Sequence, residues 1–185
     1  MIEHIGQNSE AGWITRAQAG DQAAYGQLVQ QYQRLIISVA YRQGLDLAEA
    51  EDVAQETFVK AWLALPKYRK SAGTWRAWLC RIAINLAIDT HRRARPQLEL
   101  DEMLPDHRRG PAEQAEAAIN AKRVRQALAQ VPPASRAALI LSEYEGLSYA
   151  EIATALDIPL GTVMSRLHYA RCRLRELLVA TGDFA

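Results

Sequence analysis

Cysteine is scarce in this chain, and long apolar runs are missing from it. The 185 residues include two cysteines, Cys80 and Cys172, which lie far apart and outside any C-x-x-C pair or Cys/His cluster. We therefore expect neither a disulfide framework nor a structural zinc site. No window approaches 18 uninterrupted apolar residues, and the first residues lack a basic stretch followed by an apolar run. We expect no membrane insertion, no secretory signal and a cytoplasmic location.

The sequence patterns of common catalytic sites are also missing. The chain has no Gly-rich phosphate loop, no H-E-x-x-H pair and no nucleophile elbow, and its four histidines are scattered. We therefore expect neither an enzyme nor a bound cofactor or metal. A redox or metal sensor built on Cys80, His91 or Cys172 has no pattern to support it.

Neither sign of charge dominates the whole chain, but each dominates particular segments. The totals are 22 Lys+Arg and 21 Asp+Glu, for a net charge of +1. Residues 66–96 nevertheless contain eight basic residues and one acidic residue, whereas 1–65 and 97–118 each have four more acids than bases. A single charge run usually marks a solvated helix face, but so strong a basic segment indicates contact with nucleic acid.

Apolar residues recur at three- and four-residue steps almost everywhere, and no stretch alternates as a strand would. The pattern predicts an all-α fold, with helix ends set by capping residues and prolines. The predicted helices run from Asp21 to Gly44, from Asp46 to about Leu65, from Thr74 to about Arg95, and over about 112–130, 134–144, 148–156 and 161–180.

Residues 96–111 have the composition of a linker. They contain three prolines, a glycine and four acids, with little periodic hydrophobicity. The predicted architecture is two small helical domains, residues 1–95 and 112–185, joined by this flexible acidic linker.

The C-terminal half contains the pattern of a helix-turn-helix. Ser148 and Glu151 form a capping box, which begins the first helix. Small Ala153 lets two helices cross closely, and Ile158 and Val163 can fill the angle between them. The second helix has an apolar arc on one side and arginines at the margins of the other. The predicted apolar arc is Val163, Leu167, Ala170, Leu174, Leu177 and Leu178.

The polar face of that second helix suits the major groove of DNA. Ser165, His168 and Cys172 lie at its centre, so that polar atoms can reach base edges while the flanking arginines reach phosphates. An ordinary amphipathic surface helix is the alternative, but it does not account for four arginines between residues 166 and 175. An autonomous repressor or activator would need a dimer interface and palindromic half-sites, and would leave the first 95 residues unexplained.

Two helices of the N-terminal half also have unusual faces. The helix from Asp46 shows a second stripe in which acids lie beside aliphatics, and this stripe fits either docking on a basic protein surface or a partly exposed helix. The helix from Thr74 is apolar nearly all round, and its Trp75 and Trp78 are expected in the core. Basic residues and Tyr68 flank it, as on surfaces that bind single-stranded nucleic acid.

Four segments together resemble bacterial sigma factors of the extracytoplasmic-function group. They are Asp52–Trp62 (DVAQETFVKAW), Trp78–Asp89 (WLCRIAINLAID), Leu147–Ala153 (LSYAEIA) and Gly161–Leu167 (GTVMSRL). The similarity spans about residues 12–180, in the family order. It implies a promoter-recognition subunit of RNA polymerase, with sigma domain 2 in residues 1–95 and sigma domain 4 in residues 112–185.

The resemblance also implies which residues contact each partner. Core polymerase binding is implied for Asp52, Gln55, Glu56, Val59 and Leu63. Binding of the −10 element as single-stranded DNA is implied for Lys67, Tyr68, Arg69, Lys70, Arg81, Asn85, Arg92 and Arg93. Binding of the −35 duplex is implied for Thr162, Met164, Ser165, Arg166, His168, Tyr169, Arg171 and Arg173.

The implied partners are both large subunits of core polymerase, promoter DNA and an anti-sigma factor. The acidic linker resembles the family segment that threads toward the polymerase active-site cleft. The chain departs from the family at two positions of the second helix. The position of Met164 is commonly basic and that of Tyr169 is often arginine, so the −35 contacts expected here are either more apolar or weaker.

Overall fold

The computed structural model describes residues 9–69, 73–93 and 111–180, with side chains from residue 119 onward in the last range. These residues form eight α-helices and no strand, which confirms the all-α expectation. The helices are α1 (Glu10–Gln18), α2 (Gln22–Arg42), α3 (Leu47–Ala64), α4 (Trp75–Arg93), α5 (Pro111–Ala129), α6 (Pro133–Glu143), α7 (Tyr149–Leu156) and α8 (Leu160–Ala180), with a 3-10 turn at Leu65–Lys67. No helix of the described residues is long and apolar enough to span a membrane.

The N-terminal helices begin where capping side chains satisfy free backbone N–H groups. Asp21 accepts a hydrogen bond from the Ala24 N–H at 3.0 Å, and Asp46 forms a capping box with Glu49. Thr74 Oγ1 accepts from the Ala77 N–H at 3.3 Å. These caps confirm the predicted helix starts.

One helix, α1, was missing from the sequence prediction. It is short, and only Trp13, Ile14 and Ala17 pack inward from it, so its periodic signal is weak. The predicted linker and the predicted helix end at Arg95 lie outside the described residues, apart from the backbone of Pro111 in α5.

The helix-turn-helix folds as the pattern predicted. Ser148 and Glu151 form the capping box of α7, and Asp157 ends that helix in the left-handed conformation at φ 54° and ψ 50°. On α8 the predicted arc is buried at Val163, Leu167 and Ala170, whereas its distal leucines are half-buried. The distal part of α8 therefore shows apolar surface that the wheel alone had placed in the core.

The two halves of the chain pack against each other around a shared hydrophobic core. Leu28 and Leu79 of the N-terminal half belong to the same cluster of buried side chains as Leu139 and Ile152 of the C-terminal half. Helix α7 packs on α4, and α6 packs on both α2 and α4. The described residues thus form a closed arrangement.

Arg136 of α6 is a buried cation at the junction of the halves. Its side chain is 2% exposed, and its guanidinium donates to the carbonyls of Gln43 at 2.5 Å, Ala129 at 2.9 Å and Val131 at 3.0 Å. These carbonyls end α2 and α5, where helix dipoles favour a cation. Burial lowers the pKa of Arg136 to about 10, so the group is still charged at neutral pH.

Candidate polymerase and nucleic-acid interfaces

The stripe predicted to bind core polymerase lies open on α3. Val59 is 59% exposed and Leu63 is 74% exposed, and Asp52, Gln55 and Glu56 are exposed beside them. The opposite side of α3 is buried through Val53, Phe58 and neighbouring residues. Glu56 pairs with Lys60 at 2.9 Å within the same helix. The result is an acidic surface with two large aliphatic side chains in water, a combination typical of a protein-docking surface.

Tyr68 lies in an aromatic cluster at the start of α4. Its ring centroid is 5.2 Å from that of Trp75 and 5.1 Å from that of Trp78, and its hydroxyl donates to the Gly73 carbonyl at 3.1 Å. The side chain is buried, and burial raises its pKa. The sequence predicts Tyr68 in the loop before this helix, as a contact for single-stranded nucleic acid, but in this closed arrangement the ring is buried against the two indoles. Trp75 is buried as predicted, and Trp78 is half-buried.

The remaining residues predicted for the −10 element are mostly exposed. Lys67 and Arg69 are exposed before α4, and Asn85 is exposed in the middle of it. At the end of α4, Arg92 pairs with Asp89 at 3.8 Å and Arg93 is exposed. Lys70 lies outside the described residues. Arg81 forms an ion pair with Asp157 of the C-terminal half at 2.9 Å.

Helix α8 presents the predicted −35 residues on its outer face. Ser165 and His168 are exposed at the centre, with Met164 at 54% and Tyr169 at 49% exposure beside them. Thr162, Arg166 and Arg173 are half-buried along one margin. A helix with polar atoms at its centre and guanidinium groups at its edges can enter a major groove.

Two of the α8 arginines are engaged by acids. The Arg171 guanidinium donates to Glu143 Oε1 at 2.6 and 3.1 Å, and these hydrogen bonds raise the pKa of Arg171. Arg173 pairs with Glu176 at 3.1 Å. The paired side chains are all more than 40% exposed, so each pair contributes little to stability.

The described residues contain no group of three or more His, Cys, Asp or Glu side chains that could hold a metal ion. The Cys172 Sγ lies 3.8 Å from His168 Nε2 on the outer face of α8, whereas Cys80 is buried in α4.

Two family models match the chain, one in each half. Sigma-70 region 2 matches residues 28–97, and Sigma-70 region 4 matches residues 121–174. The chain is also 35% identical over 196 aligned residues to the ECF RNA polymerase sigma factor SigE of Mycolicibacterium smegmatis, covering 96% of this chain and 75% of that protein. The chain belongs to the extracytoplasmic-function sigma factors. Promoter-specific initiation of transcription is therefore the function of this sigma factor.

Two solved structures resemble the sigma factor in fold. The structure of CnrH in complex with the cytosolic domain of CnrY has a TM-score of 0.71 and 30% identity, and covers 91% of this chain and 96% of CnrH. The sigma factor RpoE of Bartonella quintana, in complex with the anti-sigma factor NepR, has a TM-score of 0.66 and 25% identity. That comparison covers 83% of this chain and 96% of RpoE.

Sequence reasoning missed charged residues at the contact between the halves of this sigma factor, among them Arg136, Arg125, Arg76 and Glu145. Arg76 donates to Glu145 at 2.7 Å, Glu145 is 7% exposed, and Arg125 donates to the Leu45 carbonyl at 2.7 Å. Charged residues are expected at the surface, and a single sequence shows no signal that brings residues 76 and 145 together.

Proposed function

We propose that this sigma factor docks on core RNA polymerase through α3, reads a −35 duplex with α8 and captures an unpaired −10 strand with the Tyr68 loop and α4. The observation that supports this most strongly is the outer face of α8, where exposed Ser165 and His168 stand between arginines on a capped helix-turn-helix. The proposed domains are residues 1–95 and 112–185, with 96–111 as the connecting linker.

Docking on polymerase uses the α3 stripe of acids and aliphatics. Covering the exposed Val59 and Leu63 side chains makes binding more favourable, because their apolar surface leaves water. Asp52 and Glu56 favour a basic partner surface. The proposed partner is the clamp helices of the largest subunit, and sigma domain 4 contacts the flap of the other large subunit.

Duplex reading uses the N-terminal half of α8. Ser165 and His168 reach base edges, while Arg166, Arg171 and Arg173 hold phosphates and fix the register. The −10 strand binds as single-stranded DNA, where base stacking on aromatic rings contributes roughly 1–3 kcal/mol per base. That gain offsets the few kcal/mol that unstacking a base costs, so the open complex is stabilised without ATP.

An anti-sigma factor is the third proposed partner. RpoE of Bartonella quintana, which shares this fold, was solved with the anti-sigma factor NepR. The half-buried leucines of distal α8 and the exposed α3 stripe are apolar surfaces that such a protein could cover.

Run-off transcription tests the proposal. Purified sigma factor, core polymerase and a pool of promoter fragments are combined, and core polymerase alone is the baseline. We expect discrete transcripts from the wild type and none from Asp52→Arg/Glu56→Arg, which also fails to bind core polymerase. Glu51→Arg is the control, because Glu51 is exposed on the same helix outside the stripe. Tight binding of a palindromic duplex without any contact to polymerase would favour the repressor alternative.

A further inference from the structure

Three polar side chains at the N-terminal end of α4 each meet an acid from the C-terminal half. Thr74 Oγ1 donates to Glu151 at 3.4 Å, Arg76 donates to Glu145 at 2.7 Å, and Arg81 donates to Asp157 at 2.9 Å. The acids lie on or beside α7, which packs on α4. The contact between α4 and the α7 region therefore has a consistent polarity, with cations on α4 and carboxylates opposite.

Arg76 is the most constrained of the three. Its carboxylate partner is nearly inaccessible, and its own side chain is about one-third exposed. The Arg76 Nε is buried without a hydrogen-bond partner among the described residues. A guanidinium whose N–H groups are only partly used can donate to a second oxyanion. It can also exchange its first oxyanion for one that it binds more strongly.

Carboxylate and phosphate oxygens offer a guanidinium the same planar hydrogen-bonding geometry. Arg81 belongs to the polar stripe of α4 that continues at exposed Asn85 one turn later. Resting on the −10 role proposed above, we infer that Arg76 and Arg81 form a phosphate track for the −10 strand. In the free chain Glu145 and Asp157 occupy this track in place of DNA phosphates.

The closed packing competes with DNA at more than these two arginines. Thr154 of α7 lies against Gly73, where an added Cβ would come within 3.0 Å of the Thr154 methyl. The Tyr68 ring is buried in the adjacent aromatic cluster. Strand binding and α7 packing therefore use the same end of α4, and α7 has to leave before the strand can bind.

The chain allows a nearly isosteric test of this competition. Asp157 adopts the left-handed conformation, which Asn tolerates as well as Asp, so Asp157→Asn removes the charge and keeps the turn. Glu145→Gln keeps an acceptor for Arg76. The charge control is Glu51→Gln, which removes one exposed negative charge from α3 where the double variant removes two. Circular dichroism and thermal melting confirm that each variant is folded.

Binding is measured by fluorescence anisotropy with a labelled single-stranded 15-nucleotide DNA of mixed sequence, using the full chain without polymerase. We expect Glu145→Gln/Asp157→Asn to bind about tenfold more tightly than wild type, as for a surface that is open in about one molecule in ten. Glu51→Gln should gain only the small increase that one lost negative charge gives. Equal gains in DNA affinity for the double variant and the control would show that Glu145 and Asp157 do not occupy the phosphate track.

The role of Arg76 is measured in the same background. Adding Arg76→Gln to Glu145→Gln/Asp157→Asn should lower the slope of log affinity against log salt by about 0.7, the value for one lost phosphate contact on single-stranded DNA. Arg34→Gln, at an exposed position of α2, is the control cation and should leave the slope unchanged. An unchanged slope with Arg76→Gln would remove Arg76 from the track.

The closed state itself is followed by small-angle scattering. Asp157→Arg places two cations together and should raise the radius of gyration, and Arg81→Asp/Asp157→Arg should restore it. A radius that stays constant in both variants contradicts the pairing in solution.

Run-off transcription separates this inference from the proposed function. Wild type that gives transcripts while Glu145→Gln/Asp157→Asn gains no DNA binding refutes the inference alone. Released DNA binding without any transcripts refutes the proposed function alone.

Discussion

Arg136 shows how one buried charge can hold helix ends in place. Its guanidinium replaces water at carbonyls that end α2 and α5, and no acid takes part in these contacts. The fit is close, since a Cβ on Gly44 would come within 2.7 Å of the Arg136 guanidinium, and Gly44 itself has φ +99°. A side chain at position 44 would therefore both strain the backbone and displace the Arg136 guanidinium.

Removing the donors of Arg136 should destabilise the fold. Arg136→Met keeps a long, unbranched side chain but leaves three carbonyls without their hydrogen-bond donor. We therefore expect the free energy of unfolding to fall by about 3 kcal/mol. Urea denaturation followed by circular dichroism measures it. Arg175→Met, at an exposed position, should stay within about 0.5 kcal/mol of wild type. Similar losses in both variants would contradict this role for Arg136.

The two cysteines should differ strongly in reactivity. Burial raises the pKa of the Cys80 thiol to about 12, which leaves it protonated at neutral pH and out of reach, whereas Cys172 is exposed. We expect Ellman's reagent to titrate one thiol rapidly in the folded chain and two in denaturant. Cys172→Ser should abolish the rapid phase, and a rapid phase that survives this change would place the reactive thiol elsewhere.

Met164 should read thymine. Its exposed side chain has no hydrogen to donate, and the apolar group that a base edge offers in the major groove is the thymine methyl. Once run-off transcription has supplied a −35 element, uracil can replace each thymine in turn. We expect one replacement to weaken wild-type binding by about 1 kcal/mol and to have no effect on Met164→Ala. Equal losses in both proteins would exclude this contact.

At the scale of the element, the helix caps are what the sequence predicted best. Asp21, Asp46, Thr74 and Ser148 all cap the helices they were expected to begin, because capping depends on residues three or four positions apart. The conformation of Tyr68 was not predictable in this way. Its burial depends on where two indoles from the following helix come to lie, and that is decided by tertiary packing.

The capping box of α7 should contribute measurable, pH-dependent stability. Ser148→Ala removes the acceptor for the Glu151 N–H and the hydroxyl that donates to the Glu151 carboxylate, so we expect a loss of about 1 kcal/mol at pH 7. The Ser148 hydroxyl and backbone N–H lower the pKa of Glu151 below 4.5. This contribution is therefore present above pH 4.5 and declines as the pH falls through the lower folded value.

Thermal unfolding of wild type and Ser148→Ala at pH 7 and at pH 3 measures this effect. The two melting temperatures should approach each other at pH 3. A gap of constant size at both values would show that the carboxylate takes no part. Ser142→Ala is the control, because the Ser142 hydroxyl contacts Glu143 at 3.4 Å without capping a helix.

At the scale of the whole molecule, the sequence predicted two domains but not their contact. Helix periodicity marks which face of each helix is apolar, yet it cannot distinguish a core within one half from a core shared by both. Leu139 and Leu28 belong to one cluster because α6 lies against the N-terminal helices. The pairs of Arg76 and Arg81 with distant acids follow from that packing.

The shared core should make the chain unfold as one unit. We expect a single calorimetric transition for residues 1–185 and a lower melting temperature for a fragment of residues 1–95, which loses the apolar contacts from α6 and α7. Two resolved transitions in the full chain, one of them at the fragment's temperature, would mean that the halves are independent. The Arg42 guanidinium carbon lies 4.2 Å from the centroid of the Tyr144 ring, which adds a further contact between the halves.

The aromatic cluster at the start of α4 also gives the protein an intrinsic optical reporter. The Trp75 and Trp78 rings lie 4.9 Å apart, and Trp75 is 1% exposed beside the end of α4 that α7 covers. Closely spaced indoles in a fixed orientation give a near-ultraviolet dichroism signal, and a buried indole emits at shorter wavelength than one in water. Separation of the halves should thus shift the tryptophan emission maximum to longer wavelength. The separation of the halves that we propose for DNA binding can then be timed in a stopped-flow instrument without any attached dye.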